Sequence, residues 1–314
     1  MVTGAARISP GQVAAVLLDR LPLVSLDTGL LPVQESLLIE LRLPRVLCGA
    51  LVGGLLAVAG AGYQGVFRNP LADPYLLGAA AGAGLGATVV IGYFGGTEAL
   101  VPVAAFVGAL AGVALAYLLG TAAGRRGTAN LVLAGVAVSS FLAAAQTFVQ
   151  QARVDELRRI YSWIMGQLIA DWGQLAMVAP YALVGIVVLL MHARLLDVLS
   201  VGDDEAAALG LHPVRVRLAV LVAASLATAS AVAVSGLIGF VGIVVPHIVR
   251  RLAGGGNRIV IPLSTLGGAA FMMLTDVAAR TLVSPAELPI GVVTAFVGAP
   301  IFVLVLRATR VVTP

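Results

Sequence analysis

The feature that most constrains this sequence is the repetition of apolar runs about 20 residues long, separated by short polar stretches. A run of that length crosses the hydrocarbon core of a bilayer as a helix. Only 11% of the residues are charged, against about 25% in ordinary soluble domains. The sequence therefore predicts an all-α polytopic membrane protein that lies in a lipid bilayer and does not bind nucleic acid.

Hydropathy predicts nine spans, and one of them is irregular. The run Ile238 to Val249 is too short for an ordinary span and contains Pro246, so we expect a broken or partly re-entrant helix. Its freed backbone groups must then be satisfied inside the protein, and such irregularity usually lines a cavity. The nine spans are Val46 to Val66, Tyr75 to Phe94, Val101 to Ala122, Leu131 to Val149, Leu175 to Met191, Leu218 to Leu237, Ile238 to Val249, Val260 to Leu282 and Val292 to Leu306.

Many of the 37 glycines are spaced four residues apart within the spans. Small residues at this spacing let helix backbones approach closely where lipid removes the hydrophobic incentive to associate. We therefore expect close helix contacts at Gly49 with Gly53, at Gly78 with Gly82 and Gly86, and at Gly108 with Gly112.

The sequence lacks the residues that several functional classes require. All 19 basic residues are arginine, so a phosphate-binding loop with its Gly-Lys-Ser/Thr sequence is excluded, and any ATP must bind another chain. The single cysteine and the three scattered histidines predict no metal site. An intramembrane enzyme would need convergent catalytic groups, and the sequence offers no such motif.

The distribution of arginine predicts the orientation. Taken together with Arg68, the loops around Arg125, Arg194 to Arg217, Arg250 to Arg258 and after Arg307 hold eleven arginines against five acids, which predicts that these loops and the C-terminus lie in the cytoplasm. Arg42, Arg45 and Arg280 then stand at outer span ends. They are either snorkelling anchors or a docking surface for an acidic partner.

The stretch "VGDDEAAALGLHP" (residues 201–213) places three acids before an alanine run in a predicted cytoplasmic loop. Acids favour the first turn of a helix because of its partial positive charge. We predict a short helix here that Gly210 and Pro213 end. The loop is either an ordinary solvated connection or a contact site for a partner.

Four motifs in this order resemble those of the FecCD-type permeases, the membrane subunits of ABC importers for iron chelates, haem and cobalamin. They are "ELRLPRVLCGALVGGLLAVAGAGYQGVFRNPLADPYLLGAAAGAGLG", "GFVGIVVPHIVRRLAG", "AELPIG" and "GAPIFVLVLR". The resemblance extends from about Ile8 to the C-terminus.

The resemblance implies the type II ABC importer permease fold, with ten helices in the family. It implies a pore between two permease copies, here expected as a homodimer, with two ATP-binding subunits that carry ATP and Mg, and an extracytoplasmic substrate-binding protein. Arg42, Arg45 and Arg280 match positions that face glutamates of the binding protein. The loop at about 195–217 matches the segment that couples to the ATPase. Its coupling residues are Gly202, Asp203, Asp204, Glu205, Ala206, Ala207, Leu209 and Gly210.

The chain departs from the family at its start. Only Met1 to Ala6 precede the segment "RISPGQVAAVLLDRL", so the first family span is expected to be missing. Ser9 and Pro10 have the character of an N-cap and a first helical residue, which predicts an outer amphipathic helix from Ile8 to Leu21. Residues 1–45 are assigned to this outer segment and residues 46–314 to the transmembrane domain.

Two further hypotheses concern transport. The segment "QTFVQQAR" contains three glutamines, Gln146, Gln150 and Gln151. Their side chains either line the pore or bond neighbouring helices. An ion-driven secondary transporter would need an ionisable group in the bundle, for which Asp276 is the candidate, although an ion pair with Arg280 explains it as well. The expected substrate is an iron chelate, either a siderophore or haem, with cobalamin as the alternative.

Overall fold

The structure, a computed structural model, describes residues 8–20, 28–96, 99–122, 128–168 and 171–304 and the helical backbone of 305–310. The predictions for Met1 to Ala6, for Leu21 and for the loop at Arg125 lie outside these residues. The described chain is helical. Its helices are α1 (Pro10–Asp19), α2 (Pro32–Ser36), α3 (Leu43–Phe67), α4 (Ala79–Phe94), α5 (Leu100–Ala122), α6 (Thr128–Ala152), α7 (Leu157–Ile164), α8 (Trp172–Leu199), α9 (Asp203–Ala208), α10 (Pro213–Ser235), α11 (Val241–Ala253), α12 (Asn257–Thr281) and α13 (Ile290–Arg310).

Each of the nine predicted spans overlaps one helix, but they are not equivalent. Within the described residues, six helical segments are long and apolar enough to cross a membrane: Pro32–Phe67, α5, α6, α8, α10 and α12. Helix α4 and the described part of α13 are shorter. Helix α11 has 13 residues, or roughly 20 Å, which is less than the hydrocarbon thickness.

The helices bear on two predicted boundaries. The chain is helical across the domain boundary predicted after Arg45, because α2 runs through a π-helical turn, Leu37–Arg42, into α3; the division into an outer segment and a transmembrane domain stays a prediction. The span predicted from Tyr75 begins as a helix only at Ala79, since Gly78 adopts φ 86° and caps α4. The expected N-terminal helix is present as α1, where Ser9 and Gln12 form a reciprocal capping box.

Helix α3 is the centre of the bundle. Most of its side chains are buried, and it packs against α8, α10, α11 and α12. The approach to α12 is close, because a Cβ added to Gly53 would lie 2.1 Å from the carbonyl oxygen of Gly268. The helix that starts at the predicted outer face therefore passes through the core to the opposite face.

The expected glycine contacts join α4 to α5. A Cβ on Gly82 would lie 2.0 Å from the oxygen of Gly108, and a Cβ on Gly108 would lie 2.2 Å from the oxygen of Gly82. Gly112 makes a similar approach to Gly78. The backbones touch, as the spacing predicts for helices packed in lipid.

The irregular span is a break between α10 and α11. Gly236 and Phe240, at φ 68° and 69°, turn the chain at the two ends of this break. The Tyr75 hydroxyl hydrogen-bonds to both backbone groups of Ile238: it donates to the oxygen at 3.0 Å and accepts from the nitrogen at 3.2 Å. Gln64 donates to the Gly242 oxygen at 3.2 Å. The freed backbone groups are thus satisfied within the protein, as predicted.

Candidate functional site

Helix α9 presents the predicted acidic stretch at the surface. Ala206 is fully buried and anchors the helix, whereas Asp204, Glu205, Ala207 and Ala208 are exposed. Leu209, just after the helix, is 73% exposed. One face of α9 therefore packs on the bundle, and the other offers small, acidic and apolar side chains to a partner.

The backbone around α9 explains its position. Gly202 has φ 144°, a backbone conformation that residues with a side chain rarely adopt, so this entry turn favours glycine. Gly210, at φ 84°, follows the helix as expected. Pro213 has a different role from the predicted one, because it is the first residue of α10 and does not end α9.

Asp203 faces the bundle. One of its carboxylate oxygens accepts hydrogen bonds from the guanidinium groups of both Arg68 and Arg217. The bond from Arg217, together with that from Arg68, lowers the pKa of Asp203 below its ordinary value despite partial burial. The first acid of the stretch is therefore paired within the chain, and Asp204 and Glu205 remain on the outward face.

A second carboxylate holds the same end of the bundle. Asp197, in the last turns of α8, accepts hydrogen bonds from the backbone nitrogens of Asn257 at 2.6 Å and Arg258 at 3.4 Å. Arg250 of α11 donates to the Asn257 side chain at 3.0 Å. Carboxylates are favourable at a helix N-terminus, so Asp197 joins the end of α8 to the start of α12.

The three outer arginines lie together at the other end of the bundle. Asp276 is 3% exposed and binds Arg45 at 2.9 Å and Arg280 at 2.9 Å. Arg42 lies close enough to Arg280 for their charges to repel. The ion pair of Asp276 with Arg280 is the one that the i, i+4 spacing predicts.

Arg45 has a further partner that the sequence analysis did not anticipate. Its two terminal nitrogens donate to Glu287, at 3.2 and 2.8 Å. Glu287 is half exposed and lies in the segment between α12 and α13. Arg45 therefore links α3, α12 and this segment, so that any docking partner would meet an arginine that already holds two carboxylates.

The two ends are separated by the thickness of a membrane. Arg45 and Arg68 stand near opposite ends of α3, and Asn257 and Arg280 near opposite ends of α12. At 1.5 Å per residue each helix covers roughly 37 Å, slightly more than the hydrocarbon core. The α9 end and the arginine end thus belong to opposite membrane faces.

An apolar groove lies beside the helix break. It has a volume of about 650 Å³ and is lined by Leu237 and Phe240 of the break, Met165 after α7, and Val292 and Phe296 of α13. Phe240 packs on Gly298, where a Cβ would lie 2.4 Å from the Phe240 Cβ. The cavity that we expected next to the irregular span is this groove.

The three glutamines of α6 differ in their surroundings. Gln146 is half buried and packs on α4, with its Oε1 2.7 Å from the position of a Cβ on Gly84. Gln150 is half buried and Gln151 is exposed. Gln146 thus contacts a neighbouring helix, and for all three glutamines pore lining and helix packing both stay predictions.

Comparison with known proteins identifies this arrangement. Residues 1–308 match the model of the FecCD transport family. The chain belongs to the FecCD transport family. The hemin transport system permease protein HmuU of Yersinia pestis is 40% identical, covering 86% of this chain and 83% of its own length. The cobalamin import system permease protein BtuC of Halobacterium salinarum is 39% identical, covering 91% and 77%.

A solved structure extends the match to the fold. It is described as an inward-facing conformation of a metal-chelate type ABC transporter, with a TM-score of 0.83, 33% identity and 95% of each chain covered. The FecCD chain is accordingly a multi-pass inner-membrane permease subunit of an ABC importer with the type II fold, and it is a transporter and not an enzyme. The ion-driven secondary transporter is therefore the wrong class.

The residues that pair with the predicted ones carry little signal of their own in the sequence. Arg68, Arg217, Glu287 and Tyr75 were ordinary loop or span residues in the sequence, and their partners are more than 10 positions away. A charged residue at the end of an apolar run was the one available signal. Which carboxylate it meets depends on how the helices pack.

Proposed function

We propose that this chain forms the membrane pathway for an iron chelate, either a siderophore or haem, and that a separate ATPase subunit powers it. Family membership implies a dimeric membrane complex with ATPase subunits, and we propose that two copies of this chain make the dimer. ATP and Mg bind the ATPase subunits. The C-terminus lies in the cytoplasm, on the side of α9.

The observation that carries this proposal is the form of α9. The helix is short, tied to the bundle by Asp203 and Ala206, and exposed on its outward face at Ala207 and Leu209. An ATPase that moves this surface moves the ends of the helices behind it. Gly202, Asp203 and Gly210 set the shape of the segment, and Asp204, Glu205 and Leu209 face the partner.

The opposite end is the proposed contact with a substrate-binding protein. Arg42, Arg45 and Arg280 carry three positive charges against the two carboxylates of Asp276 and Glu287, and this excess suits acidic groups on a docking surface. Exposed ion pairs contribute little individually, about 0.2 to 1 kcal/mol. Their effect is on encounter and orientation, so association should weaken as the salt concentration rises.

The apolar groove is the proposed wall of the pathway. Its lining offers aromatic and aliphatic side chains such as Phe240 and Phe296. A bulky chelate can slide along such a surface without the strong polar bonds that would hold it. Gln150 and Gln151 add neutral polarity at one end of α6.

The experiment is uptake by the complete complex in liposomes, assembled from this chain, its ATP-binding subunit and its binding protein. Ferric siderophore, haem and cobalamin are supplied separately in labelled form, with ATP inside the liposomes. We expect ATP-dependent accumulation of a ferric siderophore or haem and little of cobalamin. Accumulation of cobalamin alone would replace the iron-chelate proposal with the alternative, which the similarity to the cobalamin permease supports.

A further inference from the structure

We infer that Asp203 is a positioning residue that transmits motion of α9 to the central helix α3 through Arg68, while its bond to Arg217 ties α10 to the same carboxylate. This inference rests on the proposed function, in which α9 is the surface that the ATPase moves. It adds the specific contacts through which that motion reaches the bundle.

Helix α3 is the helix that needs such a link to α9. Chain connection already joins α9 to α8 before it and to α10 after it. Helix α3 is remote in sequence, yet it is the helix around which the bundle packs. A displacement of α9 reaches α3 directly only through noncovalent contacts, and Arg68 provides the one with opposite charges.

Arg68 is placed to make this link. This residue ends α3 in a left-handed conformation, at φ 50°, which turns its side chain back toward α8 and α9. Its Nε donates to the Leu199 oxygen at 2.9 Å, and its terminal nitrogen donates to Asp203. One guanidinium thus holds the last residue of α8 and the first residue of α9 together.

Arg217 is bound by the same carboxylate of Asp203. Arg217 of α10 donates to the Asp203 oxygen that also receives Arg68. Its Nε is buried and has no hydrogen-bond partner in the part of the chain that the structure describes. Two guanidinium groups therefore share one carboxylate, and without that charge they would repel each other.

The matched pair of variants is Asp203→Asn and Asp204→Asn. The two residues are adjacent on α9 and lose the same charge, but only Asp203 contacts Arg68 and Arg217. Arg68→Lys keeps the positive charge while losing the guanidinium that bonds to two groups at once. Asp203→Glu keeps the carboxylate.

The first measurement is hydrogen exchange of the purified full-length chain over residues 199–212. Loss of the anchor should speed exchange across α9 in Asp203→Asn and in Arg68→Lys, because local opening becomes easier. Asp204→Asn should exchange as the wild type does. Equal exchange in Asp203→Asn and the wild type would overturn the inference, whether or not the complex assembles.

The second measurement is substrate transported per ATP hydrolysed in the reconstituted complex. We expect Asp203→Asn to lower this ratio by about tenfold, within the usual range of coupling between sites, while its ATP-binding subunit still co-purifies. Asp203→Glu should restore the ratio in part. Asp155→Asn removes an exposed carboxylate in the segment between α6 and α7, remote in sequence from α9, and should leave the ratio near that of the wild type.

A double variant tests whether the residues act as one unit. If Arg68 and Asp203 work through each other, then Arg68→Gln combined with Asp203→Asn should lower the ratio no further than Asp203→Asn alone. The role of Asp203 would be refuted if the two substitutions lowered substrate transported per ATP additively. It would also be refuted if Asp203→Asn alone left that ratio at the wild-type value. A wild-type chain that binds no ATP-binding subunit would instead refute the proposed function.

Discussion

At the scale of single residues, two carboxylates each bind two guanidinium groups, and one of the two comes from a distant part of the chain. Asp276 is buried among two guanidinium groups, and Asp203 is shared by two more. The two sites differ in exposure: the Asp276 side chain is 4% exposed and that of Asp203 is 43% exposed. We therefore assign Asp276 a structural role and Asp203 a role in transmission.

Asp276→Asn should destabilise the fold. Removing one partner of a buried ion pair typically costs about 3 to 5 kcal/mol, and here the loss leaves Arg45 and Arg280 facing each other. The detergent-purified variant should unfold at a lower temperature than the wild type in a thermal stability assay.

The matched control for Asp276 is Glu287→Gln, because Glu287 binds the same Arg45. This carboxylate is 51% exposed, so its loss should cost no more than about 1 kcal/mol. Equal shifts in melting temperature for the two variants would contradict the structural role of Asp276.

At the scale of elements, helices here are joined by backbone contact as much as by side chains. Gly82 and Gly108 bring α4 and α5 together, and Tyr75 supports the break between α10 and α11. Both features can be tested by small changes with a matched control elsewhere in the chain.

Gly82→Ala should separate α4 from α5, because the new Cβ would lie 2.0 Å from the Gly108 oxygen. Overpacking of this kind costs about 1 to 3 kcal/mol. Gly11→Ala is the control, since nothing lies within 4 Å of a Cβ in that position of α1, and alanine favours a helix. A thermal assay should show a loss for Gly82→Ala and none for Gly11→Ala; a neutral Gly82→Ala would mean that the helices do not touch there.

Tyr75→Phe should weaken the helix break. It leaves both the nitrogen and the oxygen of buried Ile238 without the hydroxyl that satisfies them, at a cost of about 1 to 3 kcal/mol. Tyr63→Phe is the comparison, because Ser225 retains its bond to the Leu221 oxygen when the Tyr63 hydroxyl is lost. The melting temperature should fall more for Tyr75→Phe, and the reverse order would contradict this account of the break.

The elements were largely predictable from the sequence, and the contacts between them were not. Apolar length marked each span, and Ser9 and Gly210 carry local signals for helix ends. The bond of Arg68 to Asp203 joins residues 135 positions apart, so that no local pattern contains it. Pro213 shows why a local signal can mislead. A proline is common both after the end of a helix and at the first position of the next one, and here it begins α10.

At the scale of the whole molecule, the permease has two charged ends about one membrane apart, and we propose that each meets a different partner. The outer arginines surround Asp276, and α9 stands at the far end of α3. This separation is what an importer needs if a binding protein delivers substrate on one side and an ATPase acts on the other. The family and the fold place the chain in a dimeric membrane complex with ATPase subunits.

The most direct test of this account is cysteine crosslinking from α9 to the ATP-binding subunit. Cys48, the only cysteine, is first replaced by alanine, and Ala207→Cys is compared with Val283→Cys, which is exposed near the outer arginines. The account predicts a crosslink to the ATP-binding subunit from position 207 and none from position 283. Free reaction of position 207 with a water-soluble thiol reagent in the assembled transporter, without any crosslink, would contradict it.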